Sequence, residues 1–200
     1  MQKINGIIRR VPAWPIYIVS AAWFGWQFFQ ALTGAMGPDP VRSLELALGT
    51  NALQMMVAVV AITPARKYLG LNLIKYRRAV GLSLFFFVTM HLSVWLFLDV
   101  QALAQVITDI LKRPYITVGM VSFVVMIPLA ITSNNRSIRK LGPKVWNTLH
   151  KLTYAAVLLG AVHNVMVQKV WETSPLVYLG LIAALLATRV TWRPRLLATA

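Results

Sequence analysis

Residues 150–163 read HKLTYAAVLLGAVH, an apolar stretch with a histidine at each end. The stretch is hydrophobic enough to lie in a lipid bilayer, where ionisable side chains are costly and tend to be functional. His150 and His163 are therefore candidates for binding a ligand, together with any side chain that faces them from another segment.

The composition indicates an integral membrane protein with both basic and apolar character. The chain has 200 residues, of which 58% are hydrophobic, and a mean hydropathy of +0.66. Twenty basic and five acidic residues give a net charge of +15. In a soluble protein this charge would suggest nucleic-acid binding, but in this chain it indicates contact with membrane lipid at a positive inner face, with no nucleic-acid partner. The absence of cysteine excludes disulfides, iron–sulfur clusters, thiolate zinc sites and covalently attached c-type haem.

Six segments are long enough to cross a membrane, which takes about 20 mostly apolar residues. We expect an all-α, six-helix transmembrane bundle that forms a single domain over residues 1–200. The basic N-terminus leads into a retained first span and not into a cleaved signal peptide. The predicted spans are 14–34, 46–63, 79–98, 115–132, 149–168 and 175–191, with the second and fourth on the short side.

Basic residues predict the orientation of the bundle, because Lys and Arg concentrate on the cytoplasmic side. With both termini cytoplasmic, the outer side holds only four basic residues and all five acidic ones: Arg42, Lys112, Arg113 and Lys169, and Asp39, Glu45, Asp99, Asp109 and Glu172. The inner side then holds the other sixteen: Lys3, Arg9, Arg10, Arg66, Lys67, Lys75, Arg77, Arg78, Arg136, Arg139, Lys140, Lys144, Lys151, Arg189, Arg193 and Arg195.

The third histidine, His91, lies at the same depth as His163. His91 is twelve residues into the third span and His163 fourteen into the fifth, and both spans run from inside to outside. Buried polar residues that bridge helices are the simpler interpretation. Two imidazoles at one depth on parallel helices favour ligation of a b-type haem, which an apolar, aromatic bundle would solvate.

His150 lies about 20 Å below His163 at 1.5 Å per residue, at the inner surface. Thirteen residues miss the same helix face by about 140°, so the two histidines cannot face one partner from an ideal helix. Opposite His150, fourteen residues before His91, stand Arg77 and Arg78. A guanidinium is a poor iron ligand but a good partner for a haem propionate. Either arginine could equally be a plain anchor at the inner surface.

Residues 99–114, DVQALAQVITDILKRP, predict a short helix that lies on the outer membrane surface. The apolar residues Leu103, Val106, Ile107 and Ile110 recur at helical spacing. A plain connecting loop is the alternative. We expect a partner protein on the outer side of the membrane to dock here.

Several motifs, in this order and spacing, resemble the membrane haem subunit of the periplasmic methionine-sulfoxide reductase system, the MsrQ (YedZ) family of the ferric-reductase-like transmembrane group. They are GPDPV (37–41), ITPARKY (62–68), RRAVGL (77–82), MHL (90–92), KRPYITVG (112–119) and LGPKVWNTLHKLTY (141–154).

The resemblance implies a multi-pass protein of the bacterial inner membrane with one or two b-type haems. It implies His91, His163 and His150 as iron ligands and places Arg77 where the wider group usually has a fourth histidine. It also implies FMN as a cofactor, quinol as electron donor, and a periplasmic molybdopterin-containing catalytic subunit that repairs oxidised methionines. With no soluble domain for a nicotinamide and flavin module, the chain would be an electron-transfer subunit without the terminal catalytic site.

Two other functions remain open at this point. One is a metalloreductase that delivers electrons to external ferric or cupric ions. The other is a membrane transporter or assembly factor whose histidines are structural or carry protons.

Overall fold

The computed structural model describes residues 2–168 and 172–189, so Lys169, Arg193, Arg195 and the end of the sixth predicted span lie outside the described residues. Within these ranges every regular element is helical, as expected. The α-helices are α1 Gln2–Arg10, α2 Pro15–Leu32, α3 Pro40–Leu69, α4 Arg77–Val94, α5 Leu103–Lys112, α6 Pro114–Ile131, α7 Asn135–Leu149, α8 Leu152–Val167 and α9 Thr173–Ala187. A 3-10 turn at Ile74–Tyr76 precedes α4, and a π-helical turn at Trp95–Val100 extends it.

Each predicted span corresponds to a helix, but these helices differ in length and hydropathy. In the described part of the chain, three continuous helical segments are long and apolar enough to cross a bilayer: Pro40–Leu69, Ile74–Val100 and Pro114–Ile131. Helices α8 and α9 are apolar but shorter. The chain is therefore an all-helical membrane protein, and the count of six spans stays a prediction.

Helix α3 is much longer than the short span predicted for residues 46–63. The Asp39 carboxylate accepts a hydrogen bond from the Arg42 backbone N–H at 3.0 Å, and Pro40 occupies the first helical position. At the other end Gly70, at φ 67°, adopts the left-handed conformation that closes a helix. Because both of its ends are capped, α3 extends beyond its apolar central segment.

The fifth span begins later than predicted, and this corrects the placement of His150. Helix α7 ends at Leu149 and α8 begins at Leu152, so His150 lies in the tight link between them. The His150 backbone N–H donates to the Trp146 carbonyl at 2.9 Å as the last bond of α7. His150 thus lies before the helix that carries His163, so no single helical phase relates the two histidines and the conflict is removed.

Two helix pairs form the centre of the bundle: α3 packs along α4, and α6 packs along α8. Helix α9 closes the bundle against α8 and α3. The best-buried side chains lie between these helices and include Leu48, Met56, Val60, Phe87, Val157, Ala161 and Ile182.

Helix α1 was not predicted, and it docks on the link between α3 and α4. The Asn5 side chain donates to the Gly70 carbonyl at 2.8 Å and accepts from the Asn72 N–H at 2.9 Å. The Tyr76 hydroxyl donates to the Ile8 and Val11 carbonyls at 2.9 and 2.8 Å. These bonds fix the segment from which α4 starts.

Candidate functional site

His91 on α4 and His163 on α8 lie next to each other, with their rings in an edge-on arrangement. Their ring centres are 6.4 Å apart and the ring planes are inclined by 75°. Both side chains are partly buried, and His91 lies one helical turn after the buried Phe87 on α4.

Each imidazole is held by a backbone carbonyl of a neighbouring helix. His91 Nδ1 lies 2.9 Å from the Glu45 carbonyl oxygen of α3, and His163 Nδ1 lies 2.7 Å from the Tyr115 carbonyl oxygen of α6. Since a carbonyl oxygen only accepts hydrogen bonds, Nδ1 carries the proton in both rings. Nε2 of each ring therefore keeps a free lone pair, which is the tautomer of a metal-binding histidine.

The separation of the two rings fits one metal ion between them. An imidazole nitrogen binds a metal at about 2 Å and the ring centre lies about 1 Å further, so two opposed rings on one ion have centres about 6 Å apart. Among residues 2–168 and 172–189, no three His, Cys, Asp or Glu side chains are grouped to hold a metal. The pair therefore suits a metal whose remaining ligands come from a macrocycle, as in haem.

The sequence did not predict that the carbonyl groups of Glu45 and Tyr115 bind the two histidines. Every residue has a carbonyl, so no residue type marks the ones that bind histidine. Only the packing of α3 on α4 and of α6 on α8 identifies Glu45 and Tyr115.

A second site lies at the opposite end of the bundle, where Arg77 and Arg78 begin α4. A cavity of about 590 Å³ opens there, between α4, α6 and the start of α8. It brings together the predicted residues Arg77, Arg78 and His150, and its other polar or aromatic lining includes Lys75, Phe85, Trp146, Lys151 and Tyr154. We call it the basic cavity.

His150 is engaged by two neighbours in the basic cavity. Its ring stacks on Trp146, with centres 3.8 Å apart and planes inclined by 23°, and its Nε2 lies 3.0 Å from the Thr132 hydroxyl. Trp146 Nε1 donates to the Thr132 carbonyl at 2.9 Å. Burial lowers the pKa of His150, and the positive charge of Arg77 lowers it further. No other histidine of the chain reaches this end, because His91 and His163 face each other at the far end.

The two arginines differ in their surroundings. Arg78 Nη2 donates to the Asn135 side-chain oxygen at 2.7 Å, which ties the start of α4 to the start of α7. Arg77 lines the cavity with its charge close enough to affect His150.

Comparison with known proteins agrees with this geometry. Residues 46–161 match the family described as the ferric reductase like transmembrane component. A protein-methionine-sulfoxide reductase heme-binding subunit MsrQ from Brucella anthropi is 43% identical over 179 residues, which cover 88% of this chain and 80% of that protein. The subunit of the same name from Brucella ovis is 43% identical over 187 residues, 92% of this chain and 84% of that protein. No solved structure matches.

A helical membrane bundle with opposed histidines, matched over residues 46–161, defines a ferric-reductase-like transmembrane protein. Within that class, the chain belongs to the MsrQ family of haem-binding subunits.

Proposed function

We propose that the chain is the b-type haem electron-transfer subunit of a methionine-sulfoxide reductase system in the bacterial inner membrane. It carries electrons from quinol to a periplasmic molybdopterin-containing catalytic subunit and has no terminal catalytic site of its own. The observation that carries the proposal is the His91–His163 pair, with ring centres 6.4 Å apart and both Nδ1 atoms bound to carbonyls.

His91 and His163 would hold the iron of a b-type haem through their Nε2 atoms. When bound, haem supplies a one-electron carrier inside the membrane. The carbonyls of Glu45 and Tyr115 keep both rings in the ligating tautomer. Phe87 and the other buried apolar side chains exclude water from the pair.

We propose that the basic cavity binds a second cofactor that is anionic and planar, either another haem or FMN. Arg77, Arg78 and Lys75 offer positive charge for propionates or a phosphate. If His150 binds iron through Nε2, it first gives up its contact with the Thr132 hydroxyl. An inner haem would therefore be held less firmly than the haem between His91 and His163.

The distribution of charge supports six spans with cytoplasmic termini, and we propose that these spans form a single domain over residues 1–200. Helix α1, Arg77, Arg78 and α7 share the end of the bundle that contains the basic cavity. Asp39, Glu45, Asp99 and Asp109 lie towards the other end, near His91. With the basic end in the cytoplasm, electrons leave through the periplasmic end that holds His91 and His163.

The test uses the purified chain in lipid nanodiscs. We expect a red protein whose b-type spectrum appears on reduction by a quinol. Addition of the periplasmic catalytic subunit and a methionine-sulfoxide peptide should reoxidise it, and the two proteins should purify together. Reoxidation by ferric citrate but not by the catalytic subunit would favour a metalloreductase, and a colourless protein would contradict the proposal.

A further inference from the structure

The two histidines are held by the same local arrangement on two different helices. His91 binds the carbonyl of Glu45 and touches the position four residues later, Gly49. His163 binds the carbonyl of Tyr115 and touches the position four residues later, Gly119. The segments are ELALG (45–49) on α3 and YITVG (115–119) on α6.

The spacing of four has a physical reason. In an α-helix the carbonyl of residue i points at the N–H of residue i+4. A ring that approaches this carbonyl from the side therefore meets the side chain of residue i+4. A small residue at that position lets the imidazole reach the carbonyl oxygen.

The space available for a side chain differs between Gly119 and Gly49. A Cβ atom placed on Gly119 would lie 2.8 Å from His163 Nδ1 and 2.9 Å from His163 Cε1. A Cβ atom on Gly49 would lie 3.5 Å from the same two atoms of His91. At Gly119 the Cβ atom would be too close to the His163 ring unless something shifts. At Gly49 the distance to the His91 ring is an ordinary van der Waals contact.

We propose that Gly119 is a positioning residue for His163: the missing side chain lets the imidazole bind the Tyr115 carbonyl and present Nε2 to the haem iron. This inference rests on the proposed function, since it assigns Gly119 a role at that haem site. His163 Nδ1 is both the atom nearest to the new Cβ and the atom that contacts the Tyr115 carbonyl at 2.7 Å, so a shift of the ring away from the methyl group disturbs that contact. Gly49 has the equivalent place beside His91 but not the equivalent constraint.

The test compares Gly119→Ala with two matched controls, Gly49→Ala and Gly180→Ala. Each change adds one methyl group within a helix, and nothing lies within 4 Å of a Cβ at Gly180. Alanine is also the better helix former by about 1 kcal/mol, so the substitution does not weaken α6 through propensity. Each variant is purified with haem, and three quantities are measured: transfer of haem to apomyoglobin, the low-spin electron paramagnetic resonance signal per chain, and the midpoint potential. Thermal unfolding of the haem-free chain reports folding separately.

We expect Gly119→Ala to retain haem about 10- to 100-fold less well than wild type, as for other changes that disturb a ligand's support. Its low-spin signal should fall or shift and its midpoint potential should move, while haem-free unfolding stays near wild type. Gly180→Ala should match wild type in all three haem measurements, and Gly49→Ala should lose clearly less haem than Gly119→Ala, because its Cβ would meet His91 only at 3.5 Å.

Two results would overturn the inference while the wild type binds haem normally. One is a Gly119→Ala variant with wild-type retention, signal and potential. The other is an equal loss in Gly49→Ala or Gly180→Ala, because a general effect of added bulk would then explain both. A wild-type chain that binds no haem would overturn the proposed function and this inference together.

Discussion

At the residue scale, the sequence predicts the histidines and their shared depth but not what holds them. Depth follows from the constant rise of a helix, so positions in two spans can be compared directly. The partners of His91 and His163 are backbone carbonyls, which leave no mark in the sequence. His150 was predicted at the inner edge of the fifth span, and the structure places it in the link between α7 and α8.

The unequal environments of the histidines lead to a prediction for His150→Ala. His150 faces Arg77 and no second imidazole, so its replacement should weaken any cofactor in the basic cavity and leave the His91–His163 spectrum unchanged. Arg77→Ala should produce part of the same loss, because the imidazole remains. Haem and flavin content per chain measure the effect. An unchanged cofactor content in both variants would show that the basic cavity holds neither group.

At the element scale, Pro64 inside α3 explains the position of Arg189. Proline has no N–H, so the carbonyl of Val60, four residues earlier, lacks its helical partner. Arg189 Nη2 donates to that carbonyl at 2.6 Å, and Nη1 donates to the Tyr154 hydroxyl at 3.0 Å. The sequence placed Arg189 among the inner basic anchors, whereas the structure uses it to join α9 to α3 and α8.

A double-mutant cycle tests this link. Arg189→Met should destabilise the chain by about 1–3 kcal/mol, because it leaves a buried carbonyl without a partner. In a Pro64→Ala background the new N–H can satisfy the Val60 carbonyl, so the same change should cost less, with a coupling of about 1 kcal/mol. Unfolding in detergent measures each step. Tyr154→Phe, which removes the other bond of Arg189, serves as control and should show little coupling to Pro64→Ala; equal coupling for both would contradict the assignment.

The helix predicted on residues 99–114 is present as α5, but the face that packs on the protein is only partly the predicted apolar one. Val106 and Asp109 are buried, whereas Ile107 is 60% exposed and Leu111 79% exposed. Periodicity predicts such a helix because only one face packs on the protein. Helix α7 was not predicted from the sequence. Gly142, at φ 76°, and Pro143 form a kink that interrupts the helix.

At the scale of the whole molecule, hydropathy and charge predict the helical membrane class and the approximate positions of the six apolar helices α2, α3, α4, α6, α8 and α9. They do not predict which helices pair, because most of the side chains that pack α3 on α4 and α6 on α8 are apolar and could pack on several partners. Cap residues, and not hydropathy, set the length of α3.

The orientation can be tested with reporter fusions in the inner membrane. A fusion after Asp109 should behave as periplasmic, and one after Asn134, next to the residue that binds Arg78, should behave as cytoplasmic. The physical reason is the excess of Lys and Arg at the end that contains the basic cavity. A cytoplasmic signal after Asp109 would contradict the six-span topology.

The central claim is that His91 and His163 together hold one low-spin haem. Its most direct test is the haem content and low-spin signal of wild type, His91→Ala, His163→Ala and His150→Ala, each purified from the same membranes. We predict that His91→Ala and His163→Ala each lose this signal and that His150→Ala keeps it. Loss of the six-coordinate signal in His150→Ala with its retention in His91→Ala would contradict the claim.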